Sequence, residues 1–206
     1  MTAIPYRPIP EERRLSAPPK STREIAWWGM ALLCASEAAL FSYLIFSYFY
    51  LGLRESAWPP AGIEKPKLFL PLMMTLVLLT SSVTLWWGER GIKQGKQGRL
   101  RNGLVLSIII GIGFLVLQWR EYHEKLRHFT PKTHAYTSLF FTITSLHGAH
   151  VAFGILIMCF TLARALRGHF DGERHTGVSV TSLYWHFVDA VWLFIVAAIY
   201  VSPHLY

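Results

Sequence analysis

The chain has 206 residues, of which 52% are apolar and only 16% are charged, and its mean hydropathy is +0.33. Soluble domains carry about 25% charged residues, so the composition argues against a soluble protein. The formal net charge of +8 does not indicate nucleic-acid binding, because the basic residues lie in short segments between apolar runs, as membrane topology requires.

The first 24 residues are rich in proline and in charged residues. They lack the apolar core that a signal peptide needs. We therefore predict a flexible tail over residues 1–24, followed by a single domain over residues 25–206.

Five apolar segments make up this domain, at about residues 25–51, 68–87, 103–122, 136–163 and 178–201. A helix needs about 20 apolar residues to cross a bilayer, and the backbone there must satisfy its own hydrogen bonds. The segments are continuous apolar runs rather than alternating ones, which excludes a membrane β-barrel. The sequence predicts an all-α, polytopic bundle of five transmembrane helices.

The distribution of Lys and Arg predicts the orientation of this bundle. Thirteen of the twenty lie in the tail and in the loops after the second and fourth helices, and seven lie on the other side. Cytoplasmic loops carry the excess of these residues. We predict a cytoplasmic N-terminus and a periplasmic C-terminus.

A few ionisable residues lie near the midpoints of three of the predicted helices: Glu37, His147, His150, His186 and Asp189. A charged side chain at this depth costs roughly 2.5 to 3.5 kcal/mol, so these residues should turn inward and satisfy one another. We expect Glu37 to bond a histidine of the fourth helix, and Asp189 to pair with a histidine or a hydroxyl. Glu121 and Tyr122, at the end of the third helix, are interpreted as an interface cap and anchor.

Three interpretations of the midplane residues compete on the residues alone. They form a structural polar cluster that fixes helix register, a metal or haem site, or a proton path. Two histidines on one helix suit bis-histidine haem ligation poorly. A dinuclear carboxylate site uses four glutamates, and only one glutamate is central here.

Several motifs, in this order and spacing, resemble subunit III of the haem–copper terminal oxidases, which include cytochrome c oxidase and quinol oxidase. The resemblance covers about residues 27–200. It rests on WWGMALLCASEAALFSYLIFSYFY (27–50), LPLMMTLVLLTSSVTLWW (70–87), LQWREY (117–122), FFTITSLHGAHVAFG (140–154) and YWHFVDAVWLF (184–194). The fourth and fifth motifs together carry the most specificity, and the number of helices is that of the short bacterial form.

The resemblance implies an accessory subunit of a multi-subunit oxidoreductase and translocase in the bacterial inner membrane, with no catalytic residue of its own. Haem and copper would lie in partner subunits, and this chain would bind neither, nor any other metal or cofactor. Its partners would be subunit I as the main contact, subunit II, a small subunit IV, and phospholipid held in a cleft between two groups of helices. Cytochrome c or a quinol would meet it only through the complex.

The resemblance also changes the weight of the three interpretations. It favours the structural polar cluster over a metal site and keeps support of proton uptake as a secondary role for the cluster. Three other functions remain as alternatives, namely an accessory subunit of a nitric oxide reductase, a haem-carrying membrane anchor and a small transporter.

Overall fold

A computed structural model describes residues 20–60, 62–63, 65–127 and 130–205, with side chains from Glu24 onward. Five α-helices dominate it: α1 (Lys20–Gly52), α2 (Phe69–Lys93), α3 (Gln97–Leu126), α4 (Ala135–Leu166) and α5 (Thr176–Ile195). All five belong to segments long and apolar enough to cross a membrane. The prediction of an all-α bundle with five membrane-spanning helices is confirmed.

Four of the five helices, α1 to α4, are longer than the predicted apolar segments. α1 begins five residues before the predicted start, and α3 extends beyond both ends of its predicted range of 103–122. Hydropathy marks the part of a helix that lies in hydrocarbon, whereas the helix itself continues into the polar interface. Residues 20–24 of the predicted tail therefore belong to α1, and residues 1–19 lie outside the described residues.

The fifth span continues beyond α5 first as a looser and then as a tighter helix than the α form. A π-helical turn covers Val196–Val201, and a 3₁₀ turn covers Ser202–His204. π-Turns inside helices place side chains out of the regular register. This turn carries Tyr200, which is fully buried.

The connections between the helices alternate between two ends of the bundle. The N-terminal end, as we call it, contains the start of α1, the three-residue turn between α2 and α3, and the α4–α5 loop. The C-terminal end contains the α1–α2 loop, the α3–α4 loop and residues 202–205. Gly95 lies in the α2–α3 turn at φ +74°, a conformation that glycine adopts without steric cost.

The core of the bundle is centred on α5. In the most apolar stretch of each span, 56% of the α5 residues are buried, but only 11% of the α1 residues. Trp185 and Trp192 are fully buried, and Gly154 leaves room for Trp185, because a Cβ atom there would lie 2.8 Å from the indole ring. α5 is thus the centre of the fold and α1 its edge.

Candidate functional site

Ser82 joins α2 to the two polar residues of the α5 motif. Its hydroxyl oxygen lies 3.0 Å from His186 Nδ1, and the hydroxyl donates to Asp189 Oδ2. His186 and Asp189 are three residues apart and so share one face of α5. Because the single hydroxyl hydrogen goes to Asp189, the oxygen accepts from His186 Nδ1–H, which fixes the tautomer of that ring. The hydroxyl partner expected for Asp189 is therefore present.

Glu37 of α1 and His150 of α4 form the second pair. His150 Nε2 lies 3.0 Å from Glu37 Oε2, and His150 Nδ1 lies 2.7 Å from the Leu146 carbonyl oxygen. A carbonyl can only accept, so Nδ1 carries a hydrogen. Nε2 and the carboxyl group then share one further proton, either as an imidazolium–carboxylate pair or as a neutral pair. The bond expected between Glu37 and a histidine of the fourth helix is present.

His147 lies apart from both pairs. Its side chain is fully buried, and neither ring nitrogen has a hydrogen-bond partner among the described residues. The ring stacks on Trp192 with centroids 5.0 Å apart, and it meets Phe114 edge to face at 5.8 Å. This histidine thus occupies an aromatic site, in which none of the described residues bonds its ring nitrogens.

The five predicted residues therefore do not form one cluster, and the expectation that all of them satisfy one another is wrong. His147 and His150 are separated by about 60° around the helix axis. That angle is enough to direct His150 toward α1 and His147 toward the core between α3 and α5. The observed arrangement consists of two separate polar contacts and one isolated ring.

A third polar contact lies nearer the N-terminal end and, like that of Ser82, joins α2 to α5. Glu89 Oε1 accepts a hydrogen bond of 2.8 Å from the Ser179 hydroxyl, and it lies 2.8 Å from Lys93 Nζ on the same helix. Glu89 also interacts electrostatically with His186. Polar side chains thus follow the seam between α2 and α5 from the N-terminal end to the depth of Asp189.

The sequence analysis missed a buried ionic site near the C-terminal end. Glu121 is 5% exposed, its Oε1 lies 2.9 Å from Lys125 Nζ, and it accepts from the Tyr200 hydroxyl at 3.0 Å. Lys125 lies in turn over the ring of Phe140, 3.7 Å from its centroid. The interpretation of Glu121 as an interface cap is wrong, because Tyr200 of the π-helical turn covers it. The four-residue spacing of Glu121 and Lys125 was the one signal in the sequence.

A hydroxyl network beside this ionic site joins α3 to α4. The Tyr122 hydroxyl donates to Thr144 Oγ1 at 2.6 Å, and Gln118 Nε2 donates to the Thr144 carbonyl oxygen at 2.6 Å. Tyr122 was interpreted as an interface anchor, but its hydroxyl is part of this network. The polar contacts described so far connect α1 to α4, α2 to α5, α3 to the turn after α5, and α3 to α4, which is what a set of register-fixing contacts does.

The described part of the chain contains no group of three His, Cys, Asp or Glu side chains placed to hold a metal ion. The chemistry available to these side chains is hydrogen bonding and the sharing of protons within pairs.

Comparisons with known proteins find the same family that the motifs containing these residues resemble. A profile of the cytochrome c oxidase subunit III family matches residues 15–203. The cytochrome c oxidase subunit 3 proteins of Pelomedusa subrufa and Oncorhynchus mykiss are each 37% identical over 179 residues, which is 84% of this chain and 68% of theirs. That of Equus caballus is 38% identical over 181 residues, with the same coverage. The chain belongs to the cytochrome c oxidase subunit III family, the accessory subunits of haem–copper oxidases.

Proposed function

We propose that this chain is the non-redox subunit III of a proton-pumping terminal oxidase that passes electrons from cytochrome c or a quinol to oxygen. It packs against subunit I, within a complex that also contains subunit II and a small subunit IV. It stabilises subunit I, holds phospholipid and supports proton uptake and sustained turnover. The complex lies in the bacterial inner membrane, with the N-terminal end of the bundle facing the cytoplasm.

The observation that carries this proposal is the incomplete burial of the Glu37–His150 pair. Glu37 lies beside the midpoint of its span and His150 beside the midpoint of α4. The two side chains are 26% and 17% exposed. Hydrocarbon cannot satisfy a charged or strongly polar group at that depth, so a partner protein that covers this seam accounts for the exposure.

The edge position of α1 supports the same conclusion. Large apolar side chains such as Leu32, Tyr43 and Phe46 are exposed along it, and few of its residues contact the rest of the chain. A membrane helix that is bound so lightly within its own subunit is well placed to bind a second one. We assign the contact with subunit I to the face that α1 and α4 share.

The polar contacts support an accessory role over a catalytic one. Each of them joins two helices, and the described residues bring together no metal-ligating group. Support of proton uptake is carried by the polar side chains that follow the α2–α5 seam inward from Glu89, since proton relays in membranes are built from such residues.

The test uses the complex purified with and without this chain. We expect the redox spectra and the initial rate of oxygen reduction to be retained without it. We also expect slower proton uptake and fewer turnovers before inactivation. A haem that remains bound to the isolated chain, or a complete and immediate loss of oxygen reduction in an assembled complex, contradicts the accessory role.

A further inference from the structure

A cavity of about 850 Å³ lies between the first turn of α2 and residues 117–127, the last three turns of α3 and the residue after them, at the C-terminal end of the bundle. It is separate from the Glu37–His150 pair, and α1 contributes no residue to it. The contacts described above do not explain it.

The position of this cavity coincides with the boundary of the hydrocarbon. Residues 102–119 of α3 contain no Asp, Glu, Lys or Arg, a length of about 27 Å, which matches the hydrocarbon core of about 30 Å. Arg120 is the first charged residue after this stretch. The cavity therefore lies where acyl chains end and headgroups begin.

One side of the cavity is apolar. Phe69 of α2 and Trp119 of α3 are 78% and 73% exposed, and Leu117 lies deeper along α3. Exposed aromatic rings at this depth are characteristic of a membrane interface. This side suits the upper part of an acyl chain and its glycerol.

The other side carries both signs of charge. Arg120, His123, Glu124 and Arg127 line it and are all exposed. They are spaced by three and four residues, so they share one face of α3. The wall therefore presents two guanidinium groups with a carboxylate between them.

These charges have no ion-pair partners in the described part of the chain. By contrast, Glu89 and Glu121 each have a lysine, and Arg90 and Arg164 each lie over an aromatic ring. Arg120, Glu124 and Arg127 form neither an ion pair nor a side-chain hydrogen bond there; Glu124 interacts electrostatically with Lys125, whose ammonium group is paired with Glu121. Their binding capacity is available to a ligand.

We propose that this cavity binds the headgroup of an aminophospholipid of the phosphatidylethanolamine type. Arg120 and Arg127 donate to the phosphate oxygens, a geometry that guanidinium groups favour, and Glu124 accepts from the primary ammonium group. A phosphatidylcholine headgroup has no N–H to donate, and a phosphatidylglycerol headgroup leaves the Glu124 carboxylate without a cation. The site thus selects a headgroup that carries both a phosphate anion and a primary ammonium group. This proposal does not depend on the proposed oxidase role.

The test uses the full chain in its purified complex, stripped of endogenous lipid by detergent. Phosphatidylethanolamine, phosphatidylcholine and phosphatidylglycerol with identical acyl chains are titrated in turn, and lipid adducts on the released chain are counted by native mass spectrometry. We expect one adduct that forms with phosphatidylethanolamine at about tenfold lower concentration than with either other lipid, as the loss of one charge-assisted bond implies.

Two variants separate the roles of the charges. R120Q/R127Q should lose this adduct for all three lipids, whereas E124Q should retain binding and bind phosphatidylethanolamine and phosphatidylcholine equally. R167Q, which removes a charge at the opposite end of the bundle, should behave as the wild type does. A photoactivatable phosphatidylethanolamine should label residues 117–127 of the wild type, a readout that does not depend on the folding of any variant.

Three results would overturn the proposal. They are equal binding of all three lipids to the wild type, an adduct that survives in R120Q/R127Q, and photolabelling confined to other helices. A preference for phosphatidylglycerol that E124Q strengthens would assign the site to an anionic lipid instead. None of these results bears on whether the chain is an oxidase subunit.

Discussion

The Tyr200 hydroxyl donates to Glu121 Oε1 over 3.0 Å, and both residues are buried. The contact joins the π-helical turn after α5 to the last turns of α3. Lys125, 2.9 Å from the same oxygen, supplies the positive charge. The three groups form an ionic site whose members depend on one another.

Removal of the Glu121 charge alone should therefore cost more stability than removal of the Glu121 and Lys125 charges together. We expect E121Q to destabilise the chain by about 3–5 kcal/mol, because it leaves the Lys125 charge without its counter-ion in a poorly solvated place. The double variant E121Q/K125Q should lose less, and Y200F about 1–3 kcal/mol. The measurement is the midpoint of thermal unfolding of the purified complex. E55Q, at an exposed glutamate of the same end, is the control, and strictly additive losses would show that Glu121 and Lys125 are not coupled.

Ser82 should matter because it is the only partner that Asp189 has among the described residues. S82A leaves the buried Asp189 without a donor and should cost about 1–3 kcal/mol. T80A is the matched control, since Thr80 lies on the same helix, is exposed, and among the described residues its hydroxyl bonds only the Leu76 carbonyl oxygen. The two variants are compared by thermal unfolding, and equal stability would mean that the Ser82 contact contributes nothing.

Gly103 allows α2 and α3 to approach each other closely. A Cβ atom at this position would lie 2.8 Å from Gly88 Cα and 2.8 Å from the Thr84 carbonyl oxygen, both of which are backbone atoms. We expect G103A to cost about 1–3 kcal/mol, as overpacking does. G113A, on the same helix, is the control, because a Cβ there meets nothing within 4 Å and alanine favours the helix. Lower stability in G113A than in G103A would contradict this packing.

Hydropathy predicted the spans well because the bilayer imposes a length on each helix, and it identified the depth of Glu37 and Asp189 for the same reason. Hydropathy could not predict the direction in which each side chain points around the helix axis. His147 and His150 lie at similar depths, yet only His150 bonds to another helix. That difference depends on where α1, α3 and α5 pack around α4, which no single segment encodes.

The partners of the polar residues were the hardest part to predict. Ser82 carries no charge and resembles any other hydroxyl in an apolar run, so its role at Asp189 depends on a contact 107 residues away. Glu121 was misinterpreted because it lies near the end of its span, where a solvated carboxylate is ordinary. The π-helical turn that brings Tyr200 over it leaves no mark in the hydropathy.

Glu37 should affect assembly more than chemistry. E37A removes the partner of His150 Nε2 and should weaken the α1–α4 contact by about 1–3 kcal/mol. We expect the complex to lose either its contact with the neighbouring subunit or part of its bound lipid. The initial rate of oxygen reduction should change little. E37Q keeps a hydrogen-bonding group and should be milder. Oxygen consumption and subunit stoichiometry are measured on the same samples, with S36A as the neighbouring control. Immediate loss of oxygen reduction in a fully assembled complex would make Glu37 part of the reaction.

Variants of His147 distinguish most clearly between a structural role and a proton-conducting role for a buried polar residue of this chain. Its ring is fully buried, stacks on Trp192 and has no hydrogen bond among the described residues. A buried polar group without a partner costs free energy, so H147F, which keeps an aromatic ring and removes the polar nitrogens, should leave the unfolding temperature unchanged or raise it. H147A should lower that temperature, because it leaves a void beside Trp192 and Phe114. Proton uptake and oxygen reduction should be unchanged in H147F. If H147F is stable and assembled but slows proton uptake, the ring nitrogens carry protons and the site is more than packing.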